Sequence, residues 1–219
     1  MTRIVQLSSG ADARLANEAA PLAVIFVNGG SARAVPGTWS ATSELLATEL
    51  TPRFPQLAFV EVRYRLKTWN ALDSCMDDGC AALDLVARPS LLVGFSMGGA
   101  VSIGIAGHDT VSGVLGLAPW IPDAISLDGV AGKRFDVVHG AWDRWLPGIP
   151  GVSPDSSRRG FERARELGAV GTYTLLDRAL HGAAVRGRSG ELVRLPRWRA
   201  WVDQVDGALS RFAAAGAPA

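Results

Sequence analysis

Lysine is nearly absent from this chain of 219 residues. Of its 22 basic residues only Lys67 and Lys133 are lysine, and the rest are arginine. Alanine and glycine are abundant, so the pattern reads as coding bias rather than as a phosphate site. Neither sign of charge is in excess. A formal net charge of +1 argues against nucleic acid or an anionic membrane surface as partner. Cysteine occurs twice, at Cys75 and Cys80. Five residues apart in a predicted helix, the two point to different faces, which disfavours a disulfide. They lack the flanking histidines of a metal set, and a reducing cytoplasm suits them. Long apolar runs are missing as well. No stretch approaches the roughly 18 apolar residues of a membrane span. The N-terminus from Met1 to Leu7 turns polar too soon for a signal peptide. These absences predict a soluble cytoplasmic protein.

What is present is a repeating pattern. Apolar, β-branched-rich runs recur at Ala23–Val27, Leu57–Val62, Ser90–Val93, Gly113–Leu117, Phe135–Val138 and Tyr173–Leu176. Several are continuous rather than alternating, as in strands buried on both faces of a parallel sheet. Helix-like stretches lie between them, over roughly 40–50, 71–87, 97–107 and 154–167. A last helix is predicted near 196–212, with Pro196 in its first turn. Alternating β and α predicts an α/β fold, a doubly wound and mostly parallel sheet with helices on both faces. The length fits a single domain over 1–219 with a core that needs no staples. The Ala-rich tail 213–219 is expected to be disordered.

The heptad Val93–Gly99 carries the strongest chemical signal. It holds G-x-S-x-G directly behind an apolar strand and ahead of a helix, the context of a nucleophile elbow at Ser96. A serine hydroxyl needs a base, and the base needs an orienting carboxylate. Only three histidines are available. His108 falls about eleven residues along the helix after Ser96, roughly 16 Å away, and suits the helix C-terminus. His139 ends a strand and also fits a loop-fixing role. His181 follows the last strand in a loop and is the favoured base. For the acid, Asp143 leads, four residues past the strand that ends at His139. Asp123 and Asp177 are its competitors, and Asp136 lies inside a strand.

Gly94–Gly99, His139–Asp143, His181–Gly182 and Asn28–Gly30 together resemble the α/β-hydrolase fold over about 22–212. The similarity is to its compact lidless serine esterases: carboxylesterases, acyl-protein thioesterases and dienelactone-hydrolase-like proteins. The resemblance implies a triad of Ser96, Asp143 and His181. It also implies an oxyanion hole from the main-chain N–H groups of Met97 and Gly30, although this chain has Asn28-Gly29 where such families often have His-Gly. The implied activity is hydrolysis of small or medium carboxylic esters, or thioesters, through an acyl-enzyme, with no metal and no cofactor. Acyl transfer to a bound alcohol and non-catalytic ligand binding are the alternatives.

About fifteen residues separate Ala118 from Lys133, too few for a lid domain. Trp120, Trp142 and Ser31 are expected to line the substrate pocket, with Trp145 and Met97 adding to it. Arg63 and Arg144 are candidates for an anionic substrate group, though ion pairing is the commoner fate of an arginine. Trp145–Gly151, stiffened by two prolines, is expected to cover one side of the mouth.

Overall fold

The computed structural model of the protein describes residues 2–143 and 151–216. The expected roles of Arg144 and Trp145, and nearly all of the predicted cover at 145–151, lie outside the described residues.

The chain opens with a hairpin, β1 (Arg3–Gln6) and β2 (Asp12–Ala16), followed by β3 (Leu22–Val27) and a two-residue β4 (Val35–Pro36). Then come α1 (Ala41–Leu50), β5 (Leu57–Arg63), a short β6 (Leu66–Lys67), α2 (Leu72–Val86), β7 (Ser90–Phe95) and α3 (Met97–Gly104). The second half runs β8 (Val111–Leu117), β9 (Arg134–Gly140), α4 (Pro154–Glu166), β10 (Tyr173–Leu176), β11 (Ala184–Arg186), β12 (Leu192–Arg194) and α5 (Trp198–Ala215).

Eight strands form one sheet in the order β1-β2-β5-β3-β7-β8-β9-β10. From β5 to β10 every neighbouring pair is parallel, while β2 pairs antiparallel with both β1 and β5. The continuous apolar runs have a direct cause. Successive strand residues point to opposite faces, and both faces are covered. In β3, Ala23, Ile25 and Val27 join a core with α2, α3 and α4. Leu22, Val24 and Phe26 of the same strand join a second core with α1 and α5. The predicted α/β architecture with helices on both faces is therefore present.

Local signals explain most boundaries. The Ser40 side chain accepts from the Ser43 N–H at 3.2 Å and caps α1, while Pro154 occupies the first turn of α4, where no N–H is needed. Three expectations need correction. The last helix starts at Trp198, because Arg197 adopts φ 66°, so Pro196 stands outside it. Its end lies at Ala215 rather than Phe212, with Phe212 and Ala213 packed against the core. Residues 213–215 of the expected disordered tail are thus helical. The hairpin β1–β2 was not predicted, nor were the ribbons β4–β6 and β11–β12. Their strands are short, and β1 is largely exposed, so they lack the apolar run that marks the central strands.

Between β8 and β9 the chain forms loop and one 3-10 turn at Asp128–Val130. Both cysteines are free thiols. Among the described residues no helix is long and apolar enough to cross a membrane.

Candidate active site

The sheet order reverses at β3: the chain leaves β3 for β5 on one side and returns to β7 on the other. The carboxyl ends flanking such a reversal form a crevice where ligands bind in open parallel sheets. Here β3 delivers Asn28–Gly30, and β7 delivers Ser96.

Ser96 sits between β7 and α3 with φ 56° and ψ −119°. That conformation costs a residue with a Cβ about 1–3 kcal/mol. It is held from both sides. The Ser96 N–H donates to Leu117 O at 2.9 Å, and its carbonyl accepts from the N–H groups of Gly99 and Trp120, each at 2.9 Å. The neighbouring glycines are required by backbone approach. A Cβ at position 98 would lie 2.1 Å from Val27 O, and one at 94 would lie 2.4 Å from Gly98 O. The G-x-S-x-G pattern is thus the steric condition for this turn.

The Asn28–Gly30 loop lies directly against the elbow. A Cβ on Gly29 would come 3.4 Å from Ser96 Cβ, and one on Gly30 would come 2.3 Å from Met97 Sδ and 2.6 Å from the Trp69 ring. The loop is fixed by the Tyr64 hydroxyl donating to Asn28 O at 3.0 Å and by Asn28 Nδ2 donating to Thr38 O at 2.5 Å. The Trp69 N–H donates to Ser31 O at 3.1 Å. Among the described residues the N–H groups of Gly30 and Met97 have no hydrogen-bond partner. Met97 N–H also lies at the positive end of α3.

The other half of the site comes from β9 and β10. After β9 the chain turns so that Ala141 N–H donates to Leu176 O and Trp142 N–H donates to Ala179 O, each at 2.9 Å. The two loops are pressed together at Gly140, where a Cβ would sit 2.3 Å from Leu180 O. That closeness brings Asp143 to His181. Asp143 is 2% exposed. Its Oδ2 accepts from His181 Nδ1 at 2.6 Å and from His139 Nε2 at 2.9 Å, and its Oδ1 accepts from the Val152 N–H at 3.2 Å. Burial pushes the Asp143 carboxyl up, but the hydrogen bonds and charges of His139 and His181 outweigh it and hold the pKa below the ordinary value. Asp143 is therefore a carboxylate, and the hydrogen of His181 is assigned to Nδ1, where an anion accepts it. His181 Nε2 has no hydrogen-bond partner among the described residues. The His181 ring lies 5.1 Å from that of Phe95, the residue before Ser96.

The rival residues are elsewhere. Asp123 pairs with Arg163, and exposed Asp177 pairs with Arg178. Asp136 is tied to Arg134, Thr172 and Arg211. His108 bonds Asp84 and Thr110. It does not serve the end of α3, which closes earlier at Gly104 than the sequence predicts. Arg63 pairs with Asp12 and lies over the Trp39 ring. The Met97 side chain is fully buried beneath Gly30. Trp120 is tied through its N–H to the Ser96 carbonyl, Trp142 is 51% exposed, and Ser31 is half-buried.

Sequence reasoning missed Thr42. Buried on α1, its Oγ1 accepts from the N–H groups of Ala183 and Ala184 at 3.2 and 3.3 Å and donates to Ala184 O at 3.1 Å. It thereby pins the loop that carries His181. A lone threonine about 140 residues upstream gives no sequence signal of that role. Among the described residues no group of three or more His, Cys, Asp or Glu side chains is placed to hold a metal ion.

A nearly all-parallel eight-stranded sheet, a G-x-S-x-G turn at its reversal and a hydrogen-bonded Asp143–His181 pair on later strand ends are features of the α/β-hydrolase fold. No protein-family model matches the sequence, and no curated protein matches it. Solved structures do. A putative α/β hydrolase from Agrobacterium tumefaciens is 15% identical with TM-score 0.71, over 99% of this chain and 98% of that one. A serine hydrolase without a lid from Xanthomonas campestris is 16% identical with TM-score 0.66, over 100% and 95%. The dienelactone hydrolase of Anabaena variabilis is 17% identical with TM-score 0.65, over 94% and 95%. At these identities the likeness is one of fold.

Proposed function

We propose that the protein is a serine hydrolase that cleaves small or medium carboxylic esters, or thioesters, through an acyl-enzyme on Ser96. The observation that carries this reading is the 2.6 Å hydrogen bond from His181 Nδ1 to the buried Asp143 carboxylate, made on strand ends beside the Ser96 elbow. The activities named for the Xanthomonas and Anabaena proteins point the same way.

In the proposed reaction His181 Nε2 takes the proton of Ser96 Oγ as the oxygen attacks the acyl carbon. Asp143 holds the imidazole in the required tautomer and stabilises the imidazolium. The Met97 and Gly30 N–H groups receive the oxyanion, in the manner worth about 3–4 kcal/mol per donor in other acyl-transfer sites. The tetrahedral adduct collapses, and the leaving alcohol or thiol departs with the proton from His181. Water, deprotonated by the same base, then attacks the acyl-enzyme and releases the acid. In this reading Trp120, Trp142 and Ser31 line the substrate pocket, and the main-chain N–H of Trp120 donates to the Ser96 carbonyl.

A fluorophosphonate probe should label the wild-type protein and leave Ser96→Ala unlabelled. Folded wild-type protein that resists the probe and turns over no p-nitrophenyl ester from acetate to decanoate would overturn this reading. Within that series the chain length giving the highest kcat/KM reports pocket depth.

A further inference from the structure

His139 is a titratable group beside Asp143 that the proposed reaction does not use. It is 0% exposed and lies inside a chain of hydrogen bonds. Its Nε2 is 2.9 Å from Asp143 Oδ2 and 2.9 Å from Val152 O. Both are acceptors only, so Nε2 carries a hydrogen. Its Nδ1 is 2.7 Å from Ser157 Oγ. Ser157 Oγ is in turn 2.8 Å from the Tyr173 hydroxyl, and that hydroxyl donates to Pro154 O at 2.8 Å. Ser157 Oγ also donates to Pro154 O at 3.0 Å, so Ser157 and Tyr173 share that carbonyl as acceptor. The groups facing His139 are Asp143 on the loop after β9, Ser157 on α4 and Tyr173 on β10. Arg158 lies over the Tyr173 ring, 4.2 Å from its centroid.

We propose that His139 is a positioning residue for the acid. Resting on the reading above, its Nε2–H shares Asp143 Oδ2 with His181. Two consequences follow from the shared oxygen. One lone pair of Oδ2 is occupied, which leaves the other aimed at His181 Nδ1. The His139 N–H also withdraws charge from the carboxylate that stabilises the His181 imidazolium. Ser157, Tyr173 and the Pro154 carbonyl form the outer frame that fixes the ring.

The test compares His139→Met, which fills the space without a donor, and His139→Gln, whose amide nitrogen reaches the position of Nε2. Active sites are counted first by fluorophosphonate titration. Per titrated site, His139→Met should lower kcat roughly ten- to a hundredfold, as small misplacements of catalytic groups do, with KM nearly unchanged. The acid limb of its kcat/KM profile should move to higher pH, because the unshared carboxylate holds a proton on His181 more strongly. His139→Gln should restore most of both. Loss of packing alone would lower the number of titratable sites and leave that limb in place. A second readout needs no turnover. In protein with nitrogen-15-labelled histidine rings, His139 Nε2 should appear protonated. Wild-type kcat and acid limb in folded His139→Met, or an unprotonated Nε2 in the wild type, would overturn the proposal. Absence of Ser96 labelling in the wild type would instead overturn the hydrolase reading and leave the ring assignment standing.

Discussion

Replacing Glu61 with glutamine should make the protein more stable at alkaline pH and almost no different at mildly acidic pH. Glu61 lies on β5, opposite Arg14 of β2, and only 6% of it is exposed. Arg14 is engaged elsewhere: its guanidinium sits 3.0 Å from Glu44 and 3.5 Å from Glu61, and Glu44 also holds Arg186. Glu61 Oε2 is buried with no hydrogen-bond partner. Burial therefore dominates and pushes this carboxyl up from 4.5 to about 7, against the smaller pull of Arg14. The sign follows from proton counting. Between pH 4.5 and 7 the folded state holds the Glu61 proton and the unfolded state does not, so stability falls as pH rises through that window. At about 1.4 kcal/mol for each pH unit between the two pKa values, the full cost above pH 7 is roughly 3 kcal/mol. Glutamine keeps an acceptor for Arg14 and never ionises. At pH 8.5 Glu61→Gln should gain about 2–3 kcal/mol, or roughly 5–10 °C in Tm for a chain of this size. At pH 5 the two proteins should differ by less than about 1 kcal/mol. Thermal melts of both proteins at both pH values measure this directly. A lower Tm for the variant at pH 8.5, or an equal shift at both pH values, would refute the reasoning and show Glu61 to be a stabilising ionised partner of Arg14.

Other consequences are as direct. Asp143→Asn should lower kcat about ten-thousandfold with the fold intact, since an amide can hold His181 in the wrong tautomer; esterase assays beside circular dichroism would check it. The Asp143 carboxyl is held below its ordinary value, so its contribution to stability is present at neutral pH and is lost only as pH falls through that lowered value. Thr42→Val should leave the Ala183 and Ala184 N–H groups without their acceptor and cost about 1–3 kcal/mol, with kcat falling more than KM rises. Thr42→Ser should recover both. Gly98→Ala should prevent stable folding or cost more than about 4 kcal/mol, because the new methyl would meet Val27 O at 2.1 Å and neither backbone can retreat; urea melts would report it.

The central strands were legible because each is buried on both faces, which forces continuous apolar runs at β3, β5, β7, β8 and β9. The elbow was legible because its backbone demands glycine where other chains tolerate any residue. The Asp143–His181 pair could be placed on neighbouring strand ends by order alone. Long-range polar partners could not. Glu61 reads as one charge in an apolar strand, but its partner Arg14 sits on β2, a strand without an apolar run. Thr42 and Ser157 are single hydroxyls on helices, indistinguishable in sequence from the solvent-facing kind. The joint hold of His139 and His181 on one oxygen of Asp143 depends on how closely two loops meet at Gly140, which no local pattern encodes.

The backbone of Ser96 carries one more implication. At φ 56° and ψ −119° a glycine would rest without strain, so Ser96→Gly should relieve about 1 kcal/mol or more of the cost held at this turn. The change that removes the proposed nucleophile is thus one that the fold itself would favour. Laboratory evolution of this protein under selection for heat resistance alone would drift toward a sturdier and inert chain. Any stabilising campaign on this scaffold therefore needs turnover as a second criterion from its first round.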